Sequence, residues 1–299
     1  METSHLRQHL HLHFIVVLLG FTAILGALIS MPAADLVWYR MFFATAGLWV
    51  FFLIKKLPYR LPFEKQLPLY LIGTLVALHW ITFFHAIKVS NVSVTLGVFA
   101  SVPLFTSFLE PLLQRRRILW LEVLIGMIIL LGIYLIFRYE FYYMQGILYA
   151  LLSALLNGLF VVLNRNISMR HHPTVISFYE MIGGFLLISL YFLITGAFSE
   201  ELFRVTSADL GYLLILGLLC TSYAFAAIVH IMKVLTAYNV VLAVSMEPVY
   251  GIALAYMIFR DAERMSGGFY IGTLIIMVAV FLYPYLKYRL ARRKVKSEK

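Results

Sequence analysis

Ten runs of about 20 apolar residues, joined by short polar connections, fill almost all of this 299-residue chain. They fall at about 12–30, 34–54, 67–87, 92–113, 118–137, 144–163, 174–196, 208–231, 236–259 and 268–287. An α-helix rises about 1.5 Å per residue, so about 20 residues cross the roughly 30 Å hydrocarbon core of a bilayer. Composition agrees: 63% of the residues are apolar and 13% charged, where soluble domains run near 45–50% and 25%. A soluble fold of this length could not bury that much apolar surface. A membrane β-barrel would alternate apolar and polar residues rather than run in blocks. The sequence therefore reads as an all-α polytopic membrane protein with ten transmembrane helices. The first run reads as a retained helix, because cleavage near Ala33 would leave nine spans and spoil the loop charge pattern.

The formal charge of +10 would suggest nucleic acid in a soluble protein. Here it follows from insertion, since Lys and Arg collect in cytoplasmic loops. With the N-terminus inside, 18 of the 24 cations lie in loops on that side, 5 lie opposite, and Arg40 alone sits within a run. That bias places both termini in the cytoplasm and calls for an even helix count. No nucleic-acid partner is expected. The single cysteine, Cys220, forms no intrachain disulfide and builds no metal site alone.

The chain also repeats itself. A shift of 145 residues sets His85 on His230, Lys88 on Lys233, Val89 on Val234 and Pro103 on Pro248. With small gaps, Ile125-Gly126 meets Ile271-Gly272, and Tyr39-Arg40-Met41 meets Tyr179-Glu180-Met181. The halves divide at 1–139 and 140–299, with a basic tail closing the second. Five helices per half is an odd number, so the second half enters the membrane in the opposite sense. Inverted repeats recur in secondary transporters, with substrate held near the midplane between them.

The stretch SMEPVYGIALAYMIFRDAERMSGGFYIGTLIIMVAV, with Glu247-Pro248, Glu263-Arg264-Met265-Ser266 and Gly272, resembles the end of an EamA-type repeat. The first half carries Pro103 and Gly126 in matching places but has Arg115-Arg116-Arg117 where the acidic residue is expected. Helix 1 reads GFTAILGALI. The resemblance covers the whole chain as two halves and points to the drug/metabolite transporter superfamily. It implies a central cavity made by helices 1–4 and 6–9, with helices 5 and 10 peripheral. It implies an exporter of a small metabolite or drug-like solute in a bacterial inner membrane. A non-transporting scaffold or a channel of the same duplicated fold is the alternative.

Charges at the bilayer centre cost roughly 2.5–3.5 kcal/mol on insertion scales, so they face the bundle interior and mark function. Arg40 and its repeat mate Glu180 are substrate-path candidates; snorkelling or static packing is the plainer reading. Glu247 shares one helix face with Asn239. It is a candidate to bind a cationic group or carry a proton, or else to brace the turn at Pro248. Asn157 lies in a polar sector of helix 6 that suits either a wet lining or helix packing. Trp80 and Tyr223 are deep enough to stack on substrate. His79, His85 and His230 are candidate proton relays, although a lone histidine is more often a polar packing residue. Pro103 and Pro248 are hinge candidates, or fixed kinks. Gly268 and Gly272 form a GxxxG pair that fits either a dimer seam or internal packing.

No HExxH within a span, no GxSxG and no paired catalytic aspartates occur, so an enzyme is not expected. Neither cofactor nor metal is expected. The expected partners are a small-molecule substrate and the lipid bilayer, with proton coupling open and the protein a monomer or homodimer. A topology reporter fused after Lys299 should be active only in its cytoplasmic form, and one inserted near Glu200 only in its external form.

Overall fold

Within hydrocarbon a chain must satisfy its own backbone hydrogen bonds, and only helices and closed barrels do so. A computed structural model describes residues 2–115, 117–168, 172–231, 235, 240 and 243–297; these hold helices and no strand. In chain order the helices are α1 (Glu2–Leu28), α2 (Ala33–Lys55), α3 (Phe63–Val89), α4 (Val92–Phe99), α5 (Val102–Gln114), α6 (Trp120–Tyr139), α7 (Met144–Ser168) and α8 (Pro173–Thr195). They continue with the short α9 (Glu200–Phe203), then α10 (Ser207–Leu214), a π-helical stretch (Ile215–Tyr223) and α11 (Ala224–Ile231). Last come α12 (Glu247–Phe259) and α13 (Gly267–Ser297).

Among the described residues, eight segments are long and apolar enough to cross a membrane, the last of them Ser207–Ile228. Gly267–Tyr283 adds a shorter apolar stretch. Large apolar side chains such as Ile54, Trp120 and Ile194 lie on the outside. That suits a surface facing lipid and not one facing water. The run expected at 236–259 is described mainly as α12, since 236–239, 241 and 242 lie outside the described residues.

The fourth run is two helices rather than one bent helix. α4 ends at Phe99, Ser101 adopts φ −79°, ψ 0°, and α5 begins at Val102 with Pro103 second. The same break occurs 145 residues later. Met246 has φ −79°, ψ −6°, and α12 begins at Glu247 with Pro248 second. The expected kink is thus a helix start. Proline suits that place because the first helical N–H groups have no partner within the helix to lose.

The packing nearly maps onto itself when the halves are exchanged. α3 lies on α7 and α8, and the eighth segment (α10, π stretch and α11) lies on α1 and α2. α4 and α5 pack on α7, as α12 packs on α1. α2 meets α8, α4 meets α12, and α6 meets α13. The last pair shares an apolar core with α4 and α7, in which Ile129, Ile136, Phe269 and Ile276 pack with Val94, Val98, Ile147 and Ala150.

α6 and α13 approach so closely that a Cβ on Gly272 would sit 2.7 Å from the Gly132 carbonyl oxygen. Gly268 lies against the Tyr139 ring. The GxxxG pair is therefore used inside the chain. Gly272→Leu should lower thermal stability of the detergent-purified protein by about 1–3 kcal/mol through overpacking. Gly211→Ala, where an added Cβ meets nothing within 4 Å, should be neutral or slightly stabilising in the same melt.

Candidate functional site

A cavity of about 300 Å³ lies between the halves. Its walls come from α1 (Leu19, Thr22), α2 (Arg40), α3 (Val76, His79, Trp80, Phe83) and α4 (Phe99). The second half supplies α7 (Asn157, Phe160, Asn164), α8 (Ser177, Glu180, Met181), α11 (Phe225) and α12 (Glu247). Among the described residues, α6 and α13 contribute nothing to the lining. The volume sits at the small end of ligand pockets, which run about 300–1,000 Å³.

Helix contacts set the two opposite charges. Gly73 of α3 packs so tightly on α8 that an added Cβ would strike the Glu180 carbonyl. Gly217 of the π stretch packs on α2, where a Cβ would lie 2.6 Å from Phe43 Cβ and 3.2 Å from the Arg40 carbonyl oxygen. The same kind of crossing thus carries Arg40 in one half and Glu180 in the other.

Arg40 is 4% exposed. Its guanidinium carbon stands 3.5 Å from the Trp80 ring centroid and 5.6 Å from that of Phe84. Its Nε donates to Thr221 Oγ1 at 3.1 Å. Thr221 Oγ1 in turn donates to the Leu216 carbonyl at 2.9 Å within the π stretch. A desolvated cation–π contact contributes about 2 kcal/mol, and a hydrogen bond from a charged donor about 1.5–3 kcal/mol. Together they offset the roughly 2.5–3.5 kcal/mol insertion cost of the charge. No ion pair with Glu180 or Glu247 forms among the described residues. Arg40 thus reaches the cavity held by an aromatic face and a hydroxyl.

Glu180 is 2% exposed. Asn164 hydrogen-bonds its carboxyl group, yet Glu180 Oε1 and Asn164 Oδ1 both lack a partner among the described residues. Buried oxygens without donors are costly, so this pair is set to accept N–H or O–H groups from something entering the cavity. Glu247 begins α12, where a carboxylate faces the positive end of the helix dipole. It lies within electrostatic reach of Arg40 and forms no ion pair with it among the described residues.

His79 is tied into packing. Its Nδ1 meets Ser153 Oγ at 2.7 Å and the Ser153 carbonyl at 3.2 Å. Its Nε2 lies 3.1 Å from Asn157 Nδ2. Ser153 Oγ donates to the His79 carbonyl at 3.0 Å, so it must accept from Nδ1–H. The contacts assign a neutral Nδ1–H tautomer, with Nε2 accepting from Asn157. The ring stacks on Phe99 at 5.2 Å. Asn157 and His79 line the cavity but spend these groups on each other.

The remaining candidates lie elsewhere. Trp80 offers a ring face to Arg40. Tyr223 and His230 face an outer groove rather than the central cavity, and the Tyr223 hydroxyl meets His11 Nε2 at 2.7 Å. His85 packs edge-on to Tyr149 at 4.4 Å and lines neither space. Asn239 lies outside the described residues.

A set of carboxylates holds the end of the bundle opposite the N-terminus; the sequence marked Glu263 only as part of the repeat signature, and Asp209 and Glu140 not as capping groups. Asp209 accepts from Ser30 N at 2.9 Å, Ser30 Oγ at 2.6 Å and Thr206 Oγ1 at 2.9 Å. Lys88 Nζ donates to the Ile29 carbonyl at 2.8 Å. Glu263 accepts from Val92 N and Ser93 N at 2.9 and 2.8 Å, and Glu140 from Ser266 N at 2.9 Å. Each carboxylate caps a chain segment that is distant in sequence. Only Asp209, three residues beyond Thr206, carries a local capping pattern that marks it in advance.

The EamA-like transporter family matches this chain twice, over residues 10–138 and 144–284. A crystal structure described only as that of a protein shares 18% identity with the chain. It aligns over 93% of this chain and 97% of its own, at a TM-score of 0.63, which is a likeness of fold. No curated protein matches the chain.

Trp80→Leu should destabilise the purified protein by about 2 kcal/mol or more by leaving the Arg40 charge without its ring face. Trp80→Phe should lose less. Thermal melts of both variants check the order, and equal losses would argue that packing volume alone matters.

Proposed function

The chain belongs to the EamA-like transporter family, and from that premise we propose that it exports a small metabolite or drug-like solute by alternating access. The carrying observation is the cavity itself, with Arg40, Glu180 and Glu247 on its wall and no ion pair joining them among the described residues. On this reading ten helices form two inverted five-helix halves, 1–139 and 140–299, with both termini in the cytoplasm of a bacterial cell. The near-exchangeable helix contacts support two packings of similar energy, which a carrier needs.

The solute enters between the halves and replaces the missing partners. Its donor groups meet Glu180 Oε1 and Asn164 Oδ1. An anionic or carbonyl group meets the Arg40 guanidinium, whose Nε donates to Thr221. Phe83, Phe99, Phe160 and Phe225 enclose its apolar part. Carboxylates that bind the solute in one packing and a proton in the other would couple export to a proton gradient, and Glu180 and Glu247 are placed for that role. The capping contacts of Asp209 and Glu263 hold one end of the bundle closed. Their release, with bending at the Ser101 and Met246 breaks, opens it.

Purified protein in liposomes, loaded with mixed radiolabelled amino acids and other metabolites, tests this reading. Wild type should show saturable flux that rises with a proton gradient. Glu180→Gln should abolish net flux, and Glu247→Gln should remove the response to the gradient. Arg40→Gln should cut flux at least tenfold, the effect of about 1.4 kcal/mol. Non-saturating flux would make the protein a channel, and absence of flux across a broad panel would favour a scaffold.

A further inference from the structure

A second space of about 780 Å³ opens on the outside of the bundle, between α2 and the segment formed by the π stretch and α11. Small residues carve it. Ala46 and Gly47 of α2 and Ala226 and Ala227 of α11 line it, together with Phe43, Phe51 and Leu218. On α2 the lining runs from Phe43 to Lys55 on one helix face. Twelve steps of about 1.5 Å make that about 18 Å, close to the thickness of one leaflet of a roughly 30 Å core.

The groove is apolar along its length and basic at one end. Lys55 closes α2 there, with His11 and His230 beside it. The two histidines also border an adjoining hollow lined by Arg7 and Gln8. Lys55 and Arg7 have exposed side chains. Gln8 Oε1, at the same place, is buried without a hydrogen-bond partner among the described residues. An apolar slot one leaflet deep, ending in cations and an open acceptor at headgroup level, complements a lipid with an anionic, hydroxyl-bearing head.

We propose that this groove is a binding site for one anionic glycerophospholipid, its acyl chain between α2 and α11 and its phosphate beside Lys55 and Arg7. A hydroxyl of the headgroup donates to Gln8 Oε1. Tyr223 and His230 belong to this site rather than to the central cavity. The lipid braces the π stretch, which also holds Arg40 through Thr221. Occupancy of the groove thus bears on the geometry of the cavity. The charges favour this occupant over an apolar helix of a second copy, which would leave the basic end unmatched.

The test is native mass spectrometry of the full chain released from nanodiscs of phosphatidylglycerol or of phosphatidylcholine. Wild type should retain one phosphatidylglycerol and little phosphatidylcholine. Lys55→Gln should lower that preference about fivefold, the effect expected for one cation at a membrane surface, and Lys55→Arg should keep it. Lys65→Gln, a cation outside the groove, should change nothing. Ala226→Leu fills the slot and should abolish retention of either lipid. Equal retention of both lipids by wild type would overturn the proposal, as would a preference unmoved by Lys55→Gln. A dimer that Ala226→Leu converts to monomer would assign the groove to a second copy and overturn it as well. Because Lys55 is an exposed helix-terminal residue, its variants report on the headgroup without threatening the fold.

Discussion

Helices in a bilayer gain nothing by hiding apolar side chains from one another, since lipid is as apolar as they are. They associate by bringing backbones close, and here glycine makes that possible. Gly73 on the Glu180 backbone and Gly217 on the Arg40 backbone are contacts that no larger residue would permit. Gly132 and Gly272 do the same for the outer pair. The placement of the cavity, and of the two charges in its wall, follows from these crossings.

The scaffold is duplicated but the chemistry is not. Corresponding crossings carry a cation in one half and a carboxylate in the other. Corresponding helix breaks carry Val102 in one half and Glu247 in the other. Symmetry supplies near-equivalent helix contacts in the two halves, and the departures from it give the cavity its polarity. Arg40 is stabilised within the protein by a ring and a hydroxyl, so its charge is tolerable without being neutralised. Glu180 keeps an oxygen open. A site of fully matched ion pairs would offer an incoming solute nothing to replace.

The cavity and the outer groove share the π stretch. Its Thr221 holds Arg40 on the inner side, and its Leu218, Ser222 and Tyr223 line the outer side. Extra residues per turn in such a stretch disturb the regular helix ladder, and π bulges are frequently found at functional sites. Ser222 and Thr221 satisfy the carbonyls of Gly217 and Leu216, which is why the irregularity is tolerable at membrane depth.

The helical membrane class and the duplication were legible in the chain, because block length and a 145-residue offset are properties of sequence alone. Arg40 and Glu180 also stood out, since a charge inside an apolar run is expensive wherever the fold puts it, and both line the cavity. The prolines marked the right places but not their form, because only the backbone distinguishes a kink from a new helix start. Tyr223 was a candidate by depth and His230 by its imidazole, and neither depth nor residue type says which way a side chain points; both line the outer groove. The partners of Arg40, the open oxygen of Glu180 and the caps of Asp209 and Glu263 join residues up to 181 positions apart. Tertiary structure decided those, because hydrogen bonds and ring contacts depend on distances that helix crossings set and that no local pattern records.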